Sequence, residues 1–166
     1  MKKLIFLFLL TYSSFSFSQD YKKALGIKTG YPGFAALNGK FYIGEVFALD
    51  NSLGINIDVD NRYVLLQSLF EYNKQIGLIN TGYNWYVGLG PNLQYYTKGG
   101  YITDDFVEHN GFFLRADAIL GIEVTPQTSR FNAAIEAGPT VNVYPITKIG
   151  VTVNVAVRYA FKQRSN

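Results

Sequence analysis

The residues of this chain that could do chemistry are charged side chains set inside apolar stretches. Lys28, Lys40, Asp58, Glu71, Arg115, Asp117, Glu123, Arg130, Glu136 and Arg158 sit in segments rich in Val, Leu, Ile, Ala and aromatics, not in hydrophilic runs. Half are basic and half acidic. Ionised groups held away from water need partners of opposite sign. Such a set therefore predicts either a salt-bridged plug or a gated path for a solute. Other chemistries have less to work with. The chain has no Cys, which excludes disulfide scaffolds, thiol catalysis and cysteine zinc sites. Its one His, His109, lies near Asp104, Asp105 and Glu108. A divalent cation could bind there, but no metal-ligand spacing is met and a solvated loop accounts for the pattern. No Ser between residues 69 and 128 is available to work with His109 as a nucleophile. Gly88-Leu89-Gly90 lacks the third glycine and the following helix of a nucleotide loop. It predicts space for a large neighbour such as Tyr86. The expectation is a protein that is not an enzyme and holds no metal or cofactor.

These charges must be positioned by strands, because the chain reads in steps of two. In its last segment Ile149, Val151, Val153, Val155, Val157, Tyr159 and Phe161 fall on one face, and Gly150, Thr152, Asn154, Ala156, Arg158 and Ala160 on the other. Successive strand side chains point to opposite faces, so one face is wholly apolar. The same split recurs over 52–59, 63–74, 81–96, 111–124 and 130–143, and more weakly over 22–29 and 37–44. That predicts eight strands. Turn signals such as Gly30-Tyr31-Pro32-Gly33, Asp60-Asn61 and Pro126-Gln127-Thr128-Ser129 separate them.

Eight antiparallel strands need their edges closed, which favours an up-and-down barrel. The two faces say which way it turns. The polar face is mostly Gly, Asn, Ala and Thr, poor covering for a wall in water but suited to a narrow lumen. The apolar face, with aromatics towards strand ends, suits lipid. The all-β expectation is thus an eight-stranded antiparallel transmembrane barrel. By parity all ten charges face its lumen, and Val151, Val153, Val155, Val157, Tyr159 and Phe161 face lipid. A periplasmic-side cluster of Glu123, Arg130 and Arg158 is expected, with a middle cluster of Lys40, Arg115, Asp117 and Glu136. A tight 125–129 turn sets Asp117 nearly opposite Glu136, and that pair needs a cation, for which Arg115 and Lys40 are the candidates. Tyr95, Tyr96 and Tyr101 fit an interfacial girdle better than a ligand site.

Residues 1–18 read as a secretory signal peptide: basic Lys2 and Lys3, apolar Leu4 to Leu10, and Ser16-Phe17-Ser18 before the cut. Residues 19–166 then form one barrel domain. Removing Lys2 and Lys3 leaves 13 basic residues against 12 acidic, so no electrostatic case for nucleic acid remains. Only 16% of the chain is charged and 16% is aromatic, which excludes disorder.

With these features the chain resembles the small outer-membrane β-barrels of Gram-negative bacteria. The stretches Ala36-Leu37-Asn38-Gly39-Lys40-Phe41-Tyr42, Glu71-Tyr72-Asn73-Lys74, Asn84-Trp85-Tyr86-Val87-Gly88-Leu89-Gly90 and the terminal Arg158-Tyr159-Ala160-Phe161 are similar to the outer-membrane barrel domains common in Bacteroidota. In size it is similar to OmpX and the OmpA membrane domain. The resemblance implies a monomer in the cell outer membrane with both termini periplasmic. It also implies contact with outer-membrane lipid and lipopolysaccharide, and insertion by the barrel-assembly machinery through the terminal aromatic. Lys162 to Asn166 follow that aromatic, a departure that displaces the signal. The outer loops are then 30–36, 60–62, 97–110 and 144–148, and the inner turns 45–51, 74–80 and 125–129. The function expected is a structural or surface-interaction barrel. The alternatives are a narrow channel or carrier for small or apolar solutes, and, with the faces inverted, a secreted soluble lipocalin-like binder.

Overall fold

A computed structural model of the chain describes residues 21–57, 61–77, 82–99, 110–126, 128–145 and 147–162. The signal-peptide reading, Asp58, Tyr101, His109 and its acidic neighbours lie outside the described residues. Eight strands follow in order: β1 (Tyr21–Tyr31), β2 (Phe34–Tyr42), β3 (Phe47–Ile57), β4 (Arg62–Gln75), β5 (Tyr83–Lys98), β6 (Gly111–Val124), β7 (Phe131–Tyr144) and β8 (Lys148–Lys162). Each pairs antiparallel with the next, and β8 returns to β1 from Tyr21↔Lys162 to Tyr31↔Val153, so the barrel closes. Closure removes the unpaired edges that an open sheet of these strands would carry. The start of β1, the end of β8 and the β2–β3, β4–β5 and β6–β7 junctions lie at one end, the terminal end. The connections after β1, β3, β5 and β7 lie at the other, the loop end.

The first three strands run longer than the apolar pattern alone predicts. β1 and β2 meet at a two-residue turn, Pro32-Gly33, not across a 30–36 loop. Gly33 has φ +77° there, and its N–H donates to the Gly30 carbonyl at 2.7 Å. Glycine takes that left-handed conformation without a Cβ clash. β3 begins at Phe47, so the 45–51 turn is also corrected: Ala48 to Asn51 are strand. Asn51, on the outer face, breaks the apolar alternation and masks this in the sequence.

Alternation decides the two faces. Along β8 every second residue from Val151 to Phe161 is exposed, and the residues between are buried. The interior is polar. Lys28, Lys40, Asp50, Glu71, Glu123 and Arg158 are all at most 1% exposed. Eight strands enclose a space that side chains just fill, so bulk must be shared out. Large inward residues therefore stand beside small ones: Lys28 pairs with Ala36 and Ala156, Glu71 with Ala48 and Gly88, and Arg158 with Gly26 and Asn132.

Tyr86 illustrates the rule. It pairs with Gly121, which pairs in turn with Glu136. The ring lies over the glycine, where an added Cβ would come within 2.3 Å of Tyr86 Cζ. The hydroxyl thereby reaches across β6 and donates to Glu136 Oε2 at 2.8 Å. Space for Tyr86 comes from Gly121; Gly88 instead makes room for Ile119 and Glu71. Gly121→Ala is expected to displace the ring and lower unfolding stability by about 1–3 kcal/mol, despite alanine's lower backbone entropy cost. Urea unfolding of the folded barrel measures it.

Candidate functional site

The interior charges form one alternating series. Glu136 Oε1 lies 2.9 Å from Lys28 Nζ, which lies 3.0 Å from Asp50 Oδ1. Asp50 Oδ2 lies 2.6 Å from the Arg158 guanidinium, whose other terminal nitrogen is 3.9 Å from Glu123 Oε2. That same oxygen lies 2.7 Å from Lys40 Nζ, and Lys40 lies 2.8 Å from Glu71 Oε2. Each cation thus stands between two carboxylates. The seven residues come from β7, β1, β3, β8, β6, β2 and β4. The remaining strand, β5, contributes Tyr86, bonded to Glu136 and with its ring centroid 4.4 Å from Lys40 Nζ.

Neutral donors reach every carboxylate of the series except Glu71. Tyr42 donates to Glu123 Oε1 at 2.9 Å and Asn154 to Glu136 Oε1 at 2.9 Å. Asn38 donates to Asp50 at 2.6 Å while its oxygen accepts from Arg158 Nε. Arg158 also donates to Asn132 Oδ1 at 2.9 Å. Lys40 donates to Asn73 Oδ1 at 2.7 Å. Buried charges are tolerated only when paired and hydrogen-bonded in this way.

Asp117 and Arg115 stand apart, nearer the loop end. Asp117 accepts from Gln67 Nε2 at 2.6 Å, from Asn92 Nδ2 at 2.8 Å and from the Thr140 hydroxyl. Arg115 donates through Nε and a terminal nitrogen to that same hydroxyl, at 3.0 and 2.8 Å.

Several sequence expectations change accordingly. Asp117 does not face Glu136. It pairs with Thr140, and Glu136 with Gly121, because the β6–β7 hairpin aligns Val124 with Ala133 and is longer than a tight 125–129 turn allows. The middle cluster therefore separates: Lys40 and Glu136 join the ion series, and Arg115 and Asp117 form their own. Arg130 is exposed and does not join Glu123 and Arg158. It lies one residue before β7, where a cation reaches water at the rim, and it donates to the outward Tyr159 hydroxyl at 2.8 Å. Asp50 is the residue that sequence reading missed. Its partners are three strand positions on β1, β2 and β8, and no local pattern marks it. Tyr96 points inward, its ring 4.8 Å from Tyr63 and 4.7 Å from Phe113, while Tyr95 packs outside against Phe112 at 4.8 Å.

Chemically the series is a filled, ion-paired plug across the lumen. At the terminal end Tyr21, Ala24, Ala160 and Tyr42 pack over it, with Tyr21 and Tyr42 edge to face at 5.4 Å.

No protein-family model and no curated protein matches the chain. Among solved structures it is similar to the N-terminal β-barrel domain of OprF from Pseudomonas aeruginosa. The TM-score is 0.60 at 15% identity, over 86% of this chain and 98% of that one. At that identity the likeness carries the eight-stranded barrel fold alone.

Asp50→Asn leaves Lys28 with one carboxylate and Arg158 with a distant one. It is expected to cost about 3–5 kcal/mol, as for a broken buried ion pair. Arg130→Ala, at the exposed rim, is expected to stay within about 0.5 kcal/mol of the parent. Equilibrium unfolding in matched detergent compares the two.

Proposed function

We propose that the chain is an integral outer-membrane β-barrel of the small Gram-negative type, similar to the group common in Bacteroidota. Its role is structural or surface-interacting, carried by the loop end, and its termini are periplasmic. The observation that supports this most is the outer wall. Leu37, Leu89, Phe131, Ile149 and Val151 are 59–75% exposed. The exposed charges among the described residues, Lys22, Lys23, Glu45, Arg62, Lys74, Lys98, Arg130 and Lys148, all lie at or beyond strand ends. Between them, among the described residues, the wall carries no charge. Water would leave this surface poorly solvated, whereas a hydrocarbon layer flanked by headgroups matches it.

Aromatics add to that support. Phe47, Tyr72, Trp85, Phe131, Tyr159 and Phe161 gather towards the terminal end, with Phe47 stacked on Phe70 at 5.4 Å and Tyr72 against Trp85 at 6.0 Å. Tyr31, Tyr95, Phe112 and Tyr144 lie towards the loop end. Two such girdles are the interfacial signature of membrane barrels. The faces also speak against a soluble binder, whose apolar side would line a cavity. The ion-paired interior favours a plugged barrel over a conducting path. Contact with lipopolysaccharide, monomeric state and insertion by the barrel-assembly machinery belong to this reading.

The test is fractionation with gel migration before and after boiling. Outer-membrane protein that migrates differently unheated is the expected result, and detergent-free soluble protein is the result that ends the reading. Val153→Arg puts a cation on the outer face. It is expected to destabilise folding into lipid bilayers by about 2–4 kcal/mol, measured by denaturant titration in vesicles. A wall meant for water would accept it at little cost.

A further inference from the structure

The loop-end mouth carries a second set of groups that the plug does not use. Four successive pairings place Gln67, Asn92, Arg115, Asn142 and Lys148 in one row across β4 to β8. Neighbouring strands are about 5 Å apart, so Arg115 and Lys148, two strands apart, are within reach of one small ligand. A cavity of about 170 Å³ opens there, lined by Tyr96, Phe113, Arg115, Thr140, Asn142 and Lys148 together with Ile149 and Gly150. That is room for a group several times the size of a water.

Arg115 is unlike the other buried cations. Lys28, Lys40 and Arg158 each contact two carboxylates. Arg115, only 9% exposed, makes no ion pair among the described residues. Its partners are the Thr140 hydroxyl and, at 3.5 Å, the Gln94 carboxamide oxygen. Asp117, the nearest inward carboxylate on its own strand, already accepts from Gln67, Asn92 and Thr140. A guanidinium has five N–H donors in a planar fork, and these contacts use three. Arg115 and a second cation, Lys148, border the same cavity.

We propose that the loop-end mouth binds a small oxyanion, a phosphate or carboxylate group held between Arg115 and Lys148. Arg115 supplies the planar fork that such groups match in bidentate fashion. Lys148, exposed at the rim, supplies a point charge that also steers the anion inward. Asn142, between them in the row, is a neutral donor. Phe113 and Tyr96 form the apolar side against which the rest of the ligand packs. The site lies inside the barrel wall and does not depend on what surrounds the barrel.

The same chemistry has two sources, a free solute or the phosphate of a lipid headgroup, and the test separates them. Purified folded protein in neutral detergent is titrated with inorganic phosphate and with pyrophosphate by calorimetry at low salt. The same titration is run for Lys148→Gln and Arg115→Gln. Saturable binding is expected, weakened about tenfold by Lys148→Gln, a loss of about 1.4 kcal/mol, and falling as salt rises. Arg115→Gln should abolish it, but that variant could disturb folding. Lys148→Gln, at an exposed position, therefore decides. In a second arm, lipid A-containing nanodiscs are compared with zwitterionic ones, with accessibility of Lys148 to an amine reagent as the readout. Protection by lipid A alone, with no binding of phosphate in detergent, assigns the site to a headgroup. Neither binding nor protection, or phosphate binding unchanged in Lys148→Gln, overturns the proposal.

Discussion

The rest of this structure depends on an unbroken alternation of charge through the lumen. Glu136, Lys28, Asp50, Arg158, Glu123, Lys40 and Glu71 follow one another with each cation between two anions. Removing any inner member takes an ionic partner from each of two neighbours in a place water does not reach, where under-paired charge is costly. Because the members come from seven strands and Tyr86 adds the eighth, the series acts as a tie across the barrel as well as a filling. Carboxylates exceed cations in it by one. The extra negative charge is met by neutral donors, the hydroxyls of Tyr42 and Tyr86 and the carboxamides of Asn38 and Asn154. Polar networks of this kind hold together only when nearly every member is satisfied, which explains how many inward Asn residues the chain commits to them.

Packing follows from the same constraint. A narrow lumen cannot hold Arg158, Tyr86, Lys28 and Lys40 unless their neighbours are small. The inward alanines and glycines are therefore spacing elements, and their positions encode where the long side chains lie. Lys28 extends past Ala36 and Ala156, and Lys40 past Ala24. With most strand polar groups turned inward, most large apolar residues are left outside, so the two faces follow from one alternation carried along each strand.

Much of this was legible in the sequence, because a period of two survives in a strand however the strands are arranged. The longer segments that became β4 to β8 and the inward facing of Lys28, Lys40, Glu71, Arg115, Asp117, Glu123, Glu136 and Arg158 could be read from parity alone. What could not be read was who meets whom. Partnership depends on hairpin register, and a longer turn after β6 moved Glu136 away from Asp117 and opposite Gly121. Asp50 was hidden because Asn51 interrupts the apolar face beside it. Arg130 failed for the opposite reason: parity extends only as far as the strand, and one residue before β7 the side chain turns to water.

The two ends of the barrel are built differently, and the proposed oxyanion site rests on that asymmetry. At the terminal end Tyr21 and Tyr42 close over Ala24 and Ala160, and Tyr42 also bonds to the ion series beneath. At the loop end the inward row changes from paired charges to neutral amides around one lightly neutralised guanidinium, beside an open cavity. A ligand entering from that side meets donors first and the ion-paired plug behind them. Passage through would require opening several buried ion pairs together, whereas binding at the mouth requires opening none. The asymmetry thus supports the proposed oxyanion site at the loop end over a path through the lumen.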